Sequence, residues 1–380
     1  MHMDQKDIRR DQDILAHLGD EYELYQGAVV PPIFMNSLHV TPKEEMDSGT
    51  PRPFVYGRIS NPTTHLFEQK VAALERAESA MAFASGMAAI SSALLACLRA
   101  GDHVIAVENA YGPTRNFIND FLGERFGVEH TYVKGCDIAE FEQALRPNTK
   151  AIYLESPSSM LFTLQDLRAV AALAKPRGIT TIIDNSWATP LLQKPITLGI
   201  DMSLHTVSKY MGGHSDLIAG VVSGSEELMR KVQNVREYYG GILGPMEAWL
   251  AIRGLRSMGA RLKEHARTAD LISRRLEAHP KVRVVHYPAL KSHPQHALAC
   301  AQMSGFASPF SFELDCTNAQ ARDFVKRLQW FNVGPSWGGF ESMAVVAGAN
   351  TDSTLVRIHT GLEDAQTLLE DLESSLALIP

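Results

Sequence analysis

The stretch that decides the fold extends from Asp201 to Asp216 and has the sequence DMSLHTVSKYMGGHSD. A single lysine, Lys209, ends an apolar strand pattern, follows the hydroxyl residues Thr206 and Ser208, and precedes a glycine turn. A lysine amine attacks a carbonyl only when it is neutral, which requires partial desolvation near a cation. We interpret Lys209 as a Schiff-base lysine and the two hydroxyls as donors to a phosphate. The alternative is a solvated surface lysine.

An acidic residue lies upstream of this lysine, where the apolar run Thr180–Ile183 ends at Asp184. Such a run is typical of a buried parallel strand that ends at a functional site. Pyridoxal 5'-phosphate requires this pairing, because a lysine binds its aldehyde and a carboxylate keeps its ring nitrogen protonated. Taken alone, Asp184 is better explained as a helix cap. Together the two residues predict pyridoxal 5'-phosphate as the cofactor.

The sequence resembles the Cys/Met-metabolism enzymes that use pyridoxal phosphate, a family that includes cystathionine β-lyase, cystathionine γ-lyase, cystathionine γ-synthase and methionine γ-lyase. The resemblance extends from about Gly27 to the C-terminus. The motifs that carry it follow one order along the chain: Tyr56–Arg58 with Asn61–Thr63, Phe83–Ile90, Ala110–Gly112, Glu155–Pro157, Asp184–Asn185, Ser208–Tyr210, Gly213–Asp216, Arg253–Arg256, Ser336–Ser342 and Arg357–Glu363. It implies the α/β fold of PLP-dependent transferases (aspartate aminotransferase-like, fold type I), with a mostly parallel large-domain sheet and a smaller C-terminal α/β domain.

The composition and net charge of the chain indicate which kinds of partner it is expected to bind. The chain has 380 residues, 45% hydrophobic and 21% charged, and a formal net charge of -7. With no basic cluster, neither nucleic acid nor an anionic membrane is expected as a partner, and a small amino-acid substrate remains. No apolar run reaches the roughly 18 residues of a membrane helix, and Met1–Arg10 lacks a signal-peptide core, so we expect a cytoplasmic protein. The four separated cysteines predict free thiols, and no metal site is expected.

The pattern of elements predicts three parts: an N-terminal arm over 1–55, a large PLP-binding domain over 56–245 and a small domain over 246–380. The arm is rich in proline, including Pro51, and arms of this kind pack on a partner. Alternating helices and strands follow, which favours a parallel sheet covered on both faces. Helices are predicted at Thr64–Ala77, Gly86–Arg99, Pro245–Ala278, Asn318–Leu328 and Glu363–Leu376. Strands are predicted near His103–Val107, Val128–Val133, Ala151–Leu154, Ile179–Asp184, Met202–Thr206, Leu217–Val222, Val282–His286, Pro309–Leu314 and Leu355–His359.

A second phosphate anchor is predicted at Ser85–Met87, which opens a helix whose amides and dipole favour an anion. A plain N-cap is the alternative there. The resemblance assigns the Gly86 and Met87 amides, with Thr206 and Ser208, to the cofactor phosphate. It also implies that Tyr56 and Arg58 reach the phosphate of a neighbouring subunit, so a homo-oligomer with shared sites, a dimer of dimers, is expected. Without the motif, both would be ordinary loop residues.

The resemblance further implies that Tyr111 stacks on the pyridine ring and takes a proton from the incoming amine; a packed aromatic at a strand end is the alternative. Arg357 corresponds to the arginine that binds the substrate carboxylate, a task suited to a guanidinium. Ser336, Trp337 and Tyr56 complete the implied substrate pocket.

Four positions bear on which bond is broken. Trp187, Trp337 and Ser159 resemble the bacterial cystathionine β-lyase branch, whereas Pro335 matches neither a β-lyase tyrosine nor a γ-branch glutamate. We therefore expect β-elimination from cystathionine or another S-substituted cysteine, giving pyruvate, ammonia and a thiol. The alternative is γ-elimination or γ-replacement on a γ-substituted amino acid, including halogenated or unsaturated substrates. A PLP-sensing regulator would need a DNA-binding segment that residues 1–55 lack, and a dehydrogenase would need a GxGxxG motif after an early strand.

Overall fold

The computed structural model describes residues 10–45, 49, 52–347 and 353–379. Of the predicted arm, residues 1–9, 46–48, 50 and 51, including Pro51, lie outside the described residues. The α-helices are α1 (Asp11–His17), α2 (Pro62–Glu75), α3 (Gly86–Cys97), α4 (Gly112–Asn116), α5 (Glu124–Phe126), α6 (Ile138–Ala144), α7 (Leu167–Ala174), α8 (Thr189–Leu192), α9 (Glu226–Tyr239), α10 (Pro245–Glu277), α11 (His296–Gln302), α12 (Asn318–Arg327) and α13 (Ala365–Leu376). Short 3-10 turns occupy Lys43–Glu45, Lys175–Arg177 and Pro195–Leu198, and a π-helical turn occupies Phe117–Gly123.

The strands form two sheets. They are β1 (Ser79–Phe83), β2 (His103–Val107), β3 (Glu129–Val133), β4 (Thr149–Glu155), β5 (Thr180–Asp184), β6 (Met202–Thr206), β7 (Gly220–Gly224), β8 (Val282–His286), β9 (Phe310–Leu314), β10 (Asn332–Val333), β11 (Met343–Val346) and β12 (Leu355–His359). The larger sheet has the order β1-β7-β6-β5-β4-β2-β3, and only β7 is antiparallel to its neighbours. The smaller sheet has the order β10-β11-β12-β9-β8 and is antiparallel except between β10 and β11. The predicted α/β architecture, with a mostly parallel sheet and a second, smaller one, is confirmed.

The strands that position the site are predictable from their apolar composition. All five residues of β2 are buried, as are four of the five residues in both β5 and β6. A strand covered on both faces needs apolar residues at nearly every position, so the signal is strong. The predicted bounds of β2, β6, β8 and β12 match the structure, and the other predicted elements shift by one to three residues.

Several elements lie outside the prediction. Strand β1 is rich in alanine, which has little strand propensity, and it forms through antiparallel pairing with β7 rather than through local preference. The sequence patterns likewise do not predict helix α9 or the short strands β10 and β11.

The long helix α10 packs against β8 and β9 of the smaller sheet and against α2, which covers the larger sheet. One apolar cluster contains Phe67 of α2, Leu255 and Ile272 of α10, and Phe312 and Phe324 beyond it, all fully buried. A second cluster fills the opposite face of the larger sheet. The predicted division at residues 245 and 246 therefore falls within a continuous core, and it stays a prediction. In the chain as described, no helix is both long and apolar enough to cross a membrane.

Candidate active site

A cavity of about 620 Å³ opens at the carboxyl ends of β4, β5 and β6. In open α/β sheets, ligands bind at this edge, where loops leave the parallel strands. Arg357 of β12 and the loop between β10 and β11 close the other side. The structure brings together in this cavity the following predicted site residues: Ser85, Gly86, Met87, Tyr111, Asp184, Thr206, Ser208, Lys209, Ser336, Trp337 and Arg357.

Lys209 lies in a turn directly after β6, and its amine is held from two sides. Nζ donates a hydrogen bond to Ser336 Oγ at 2.9 Å and lies 5.3 Å from the centre of the Trp337 ring. Burial, and then the charge of Arg357, lower the pKa of Lys209 from its usual 10.5 to about 8. The nucleophilic neutral amine is therefore accessible near physiological pH, as a carbonyl-attacking lysine requires.

Asp184 ends β5 with a side chain that is buried. Burial raises the pKa of its carboxyl, while hydrogen bonds from the Ser186 hydroxyl and amide and the charges of His205 and Lys209 oppose the rise. The Ser186 amide donates to Oδ1 at 2.9 Å. A carboxylate with these donors is suited to accept a hydrogen bond from a protonated ring nitrogen.

Glu155, which sequence reasoning did not assign to the site, is paired with Asp184 across the parallel ladder of β4 and β5. Burial and the neighbouring Asp184 charge raise the pKa of Glu155 to about 8. Its Oε2 accepts a hydrogen bond from the Tyr111 amide at 2.7 Å. Glu155 thereby anchors the loop that carries Tyr111, whose side chain is 48% exposed toward the cavity.

The other end of the cavity has the character of a phosphate site. The Gly86 and Met87 amides lie in the first turn of α3, where no carbonyl of the same helix is available to them. A Cβ at Gly86 would overlap Oγ1 of Thr206, so only glycine lets the helix approach β6 this closely. The Thr206 amide donates to Ser186 Oγ at 2.7 Å. The Thr206 hydroxyl lies beside Gly86 at the helix N-terminus. Ser208 lines the same cavity, with its Oγ accepting a bond from the Ala219 amide at 3.1 Å.

These groups fit pyridoxal 5'-phosphate. A helix N-terminus with two hydroxyls suits its phosphate, Asp184 suits its ring nitrogen, and Lys209 suits its aldehyde. The glycine at 86 leaves the space that a side chain would fill. No metal is needed for this arrangement, and within the described ranges no group of three or more His, Cys, Asp or Glu residues is placed to hold one.

Arg357 of β12 reaches the cavity from the smaller sheet. Its Nη2 donates to the Pro335 carbonyl at 2.5 Å, and burial lowers the pKa of its guanidinium to about 10 against the opposing charge of Glu155. Pro335 therefore orients the arginine through its backbone, a contact that its side chain gives no reason to expect. An oriented guanidinium is suited to a substrate carboxylate.

Tyr56 and Arg58 lie outside this cavity in their own chain. Arg58 Nη1 donates to the Glu237 carbonyl at 2.9 Å, and Tyr56, which is 44% exposed, bridges to Leu38. Their predicted contact with a neighbouring subunit stays a prediction.

Sequence reasoning missed several further cavity residues, namely Glu155, Pro157, Ser186, Ser215, Leu217, Ile218 and Glu341. A usable signal existed for Glu155, an acid at the end of a predicted buried strand inside a recognised motif. For Ser215 and Glu341 the signal is tertiary, since the Ser215 hydroxyl donates to Glu341 Oε1 at 2.6 Å across 126 positions of sequence.

Comparisons with known proteins agree with this geometry. A family model described as Cys/Met metabolism PLP-dependent enzyme matches residues 12–377. The chain is 37% identical to a cystathionine gamma-lyase of Bacillus subtilis (strain 168), over 96% of this chain and 98% of that protein. It is 36% identical to a cystathionine beta-lyase of Lactococcus lactis subsp. cremoris (strain MG1363), over 95% and 97%. It is also 36% identical to an L-methionine gamma-lyase of Pseudomonas putida, over 95% of each chain.

Proposed function

The chain belongs to the Cys/Met-metabolism family of PLP-dependent enzymes and uses pyridoxal 5'-phosphate, and from this premise we propose that its lyase reaction is a β-elimination. The substrate is cystathionine or another S-substituted cysteine. The Cβ–S bond breaks, the sulfur leaves as a thiol, and hydrolysis of the remaining fragment gives pyruvate and ammonia.

Each of these cavity residues has a separate role in the proposed reaction. The bound cofactor supplies a ring that withdraws electrons from the substrate Cα. Asp184 holds the proton on the ring nitrogen, and Arg357 holds the substrate carboxylate. The Lys209 amine removes the Cα proton and delivers a proton to the departing sulfur. Tyr111, which lines the cavity, would pack against the bound cofactor and would accept a proton from the substrate amine.

The observation that carries the proposal is the contact of the Lys209 amine with Ser336 and with Trp337, a position at which the chain resembles the β-lyase branch. A β-elimination needs this amine at Cα and at the sulfur on Cβ. A γ-elimination also needs a proton moved at Cβ, which is no farther from the amine than that sulfur, so the bond choice depends on how the pocket directs the substituents of Cβ and Cγ. Trp187, the other aromatic position of that resemblance, lines the same cavity.

A γ-elimination or γ-replacement is the second candidate, because Pro335 lines the cavity with an apolar ring. Such a wall neither donates nor accepts a side-chain hydrogen bond, which suits an apolar or halogenated γ-substituent. The relatives also include proteins named for both bond positions.

A substrate panel tests the bond choice. The purified holoenzyme is incubated with cystathionine, S-alkyl cysteines, homocysteine derivatives and γ-halogenated amino acids, and pyruvate and 2-oxobutyrate are measured. We expect pyruvate from the β-substituted substrates. If γ-substituted substrates alone react, giving 2-oxobutyrate, a vinylglycine-derived product or an unsaturated amino acid, the β-elimination proposal is wrong and the second candidate replaces it.

A further inference from the structure

A buried carboxylate outside the cavity joins the two strands that carry the cofactor anchors. Glu75, the last residue of α2, is fully buried, and its Oε1 accepts three donors. These are His205 Nε2 at 2.5 Å, Ser203 Oγ at 3.0 Å and Asn185 Nδ2 at 3.3 Å. All three donors are themselves buried.

Each donor is next to a residue that determines the site geometry. Asn185 directly follows Asp184 at the end of β5, and His205 directly precedes Thr206 at the end of β6. The Asn185 amide also donates to the Leu204 carbonyl at 2.9 Å. The spacing between Asp184 and Thr206 at the carboxyl ends of the two strands is therefore set from the face of the sheet that α2 covers.

The contact extends to the neighbouring strand through Gln193. Its Nε2 donates to Asn185 Oδ1 at 2.9 Å and to the Ser156 carbonyl at 2.8 Å. Ser156 directly follows Glu155 at the end of β4. One buried network thus fixes the ends of all three strands beneath the cavity.

We propose that Glu75 is a positioning residue for the cofactor, holding the ring-nitrogen anchor Asp184 and the phosphate anchor Thr206 at the spacing that the cofactor spans. The inference rests on the proposed roles of these two anchors. A rigid ligand that touches both strand ends binds tightly only if the ends are already in place, so a network that fixes them contributes to affinity.

The network also changes the electrostatics of the site. The charge of His205 lowers the pKa of Asp184, which burial otherwise raises. Asp184 also interacts electrostatically with Glu155 and Tyr153 of β4 and with Lys209, which follows β6. Glu75 interacts electrostatically with Lys194, which follows α8. Replacing His205 with glutamine leaves these other groups in place and removes the imidazole whose charge acts on Asp184.

The test compares four variants with the parent protein: Glu75→Gln, His205→Gln, their combination, and Asp201→Asn as a matched control. Asp201 ties the amino ends of the same two strands, accepting bonds from the amide and hydroxyl of Thr181 at 2.8 Å each. The dissociation constant of pyridoxal phosphate from the apoprotein, the pH titration of the bound cofactor's visible absorbance, and the unfolding temperature are measured.

Glu75→Gln should raise the dissociation constant about tenfold, because the bonds to a charged acceptor are weakened. The acid side of the absorbance titration should move to higher pH in His205→Gln, since Asp184 loses a neighbouring positive charge. The double variant should exceed neither single one, because both act through one contact. Asp201→Asn should leave the dissociation constant unchanged within about twofold.

An effect of Glu75→Gln on the unfolding temperature alone, with the affinity for pyridoxal phosphate unchanged, would overturn the inference. If Glu75→Gln does not fold, His205→Gln and Ser203→Ala carry the same test, since each removes one donor. Failure of the parent protein to bind pyridoxal phosphate at Lys209 would instead count against the proposed site, so the two failures are distinguishable.

Discussion

Lys209 illustrates how one residue acquires its chemistry from its surroundings. Its backbone follows a buried strand, and its amine bonds to Ser336. Burial, and then the charge of Arg357 from the other sheet, lower its pKa. Ser336 and Arg357 are both distant from Lys209 in sequence. The residue type sets what the side chain can do, and the fold sets the pH at which it does so.

The first prediction concerns the identity of the cofactor lysine. Borohydride reduction of the holoenzyme followed by peptide mapping should label Lys209, and Lys209→Ala should lose both the label and turnover. Label on another lysine would contradict the assignment of the site.

Asp184→Asn should retain some cofactor yet lose activity by on the order of a thousandfold, because a neutral amide no longer holds the ring proton.

The pH dependence of cofactor attachment follows from the lowered pKa of Lys209. Only the neutral amine reacts, so its rate of reaction with pyridoxal phosphate in the apoprotein should rise with pH and level off above about 8, where an ordinary lysine, with a pKa of 10.5, would still be rising. Arg357→Ala should move the midpoint to higher pH, because removing a neighbouring cation favours the protonated amine. Stopped-flow absorbance measures the rate. A midpoint near 10 in the parent protein would contradict this prediction.

At the scale of elements, the site depends on how closely α3 approaches β6 and β7. A Cβ at Gly86 would overlap Thr206, and a Cβ at Gly220 would overlap the Ser85 carbonyl. Ser85 caps the helix by accepting the Ala88 amide at 3.0 Å, which fixes where the first free amides lie. The phosphate site is therefore a property of the crossing, produced by two glycines and one cap.

This crossing predicts the effect of Gly86→Ala. The added methyl should destabilise the fold by about 1–3 kcal/mol through overpacking and raise the dissociation constant of the cofactor, because α3 must move away from Thr206. Thermal unfolding and absorbance titration measure the two effects. Gly112→Ala is the matched control, since Gly112 also opens a helix but a Cβ there meets nothing within 4 Å. Equal effects of the two substitutions would count against the crossing as the cause.

At the scale of the whole molecule, the described part of the N-terminal segment and the Tyr56–Arg58 loop expose apolar and aromatic side chains on the surface of their own subunit. The exposed apolar residues of this segment include Val29, Met35 and Val40. Tyr238 is also exposed, and it directly follows Glu237, whose carbonyl accepts the Arg58 hydrogen bond. We propose that these surfaces meet another copy of the chain, that each active site is shared, and that two such dimers form a tetramer.

Mixing two inactive proteins tests the shared site. Lys209→Ala lacks the amine and Arg58→Ala lacks the donated cation, so a mixed dimer regains one complete site and part of the activity. Activity is assayed after subunit exchange, which is followed independently by native mass spectrometry. Exchange without recovery would contradict site sharing.

The sequence by itself determined the family, the cofactor and most of the large sheet. Strands such as β2 and β6 were predictable because burial on both faces imposes an apolar residue at nearly every position. Lys209 and Asp184 were recognisable because each lies in a short motif at the end of such a strand, and Arg357 was recognisable because its motif begins within β12.

Only the tertiary structure decided what depends on pairing between distant segments. Strand β1 exists because β7 pairs with it, not because alanine favours a strand. The opposition of Glu155 and Asp184 depends on the register of β4 and β5, and the contact of Glu75 with His205 joins residues 130 positions apart. Composition and periodicity report the environment along one element, whereas register and helix crossing bring together side chains that carry no common local signal.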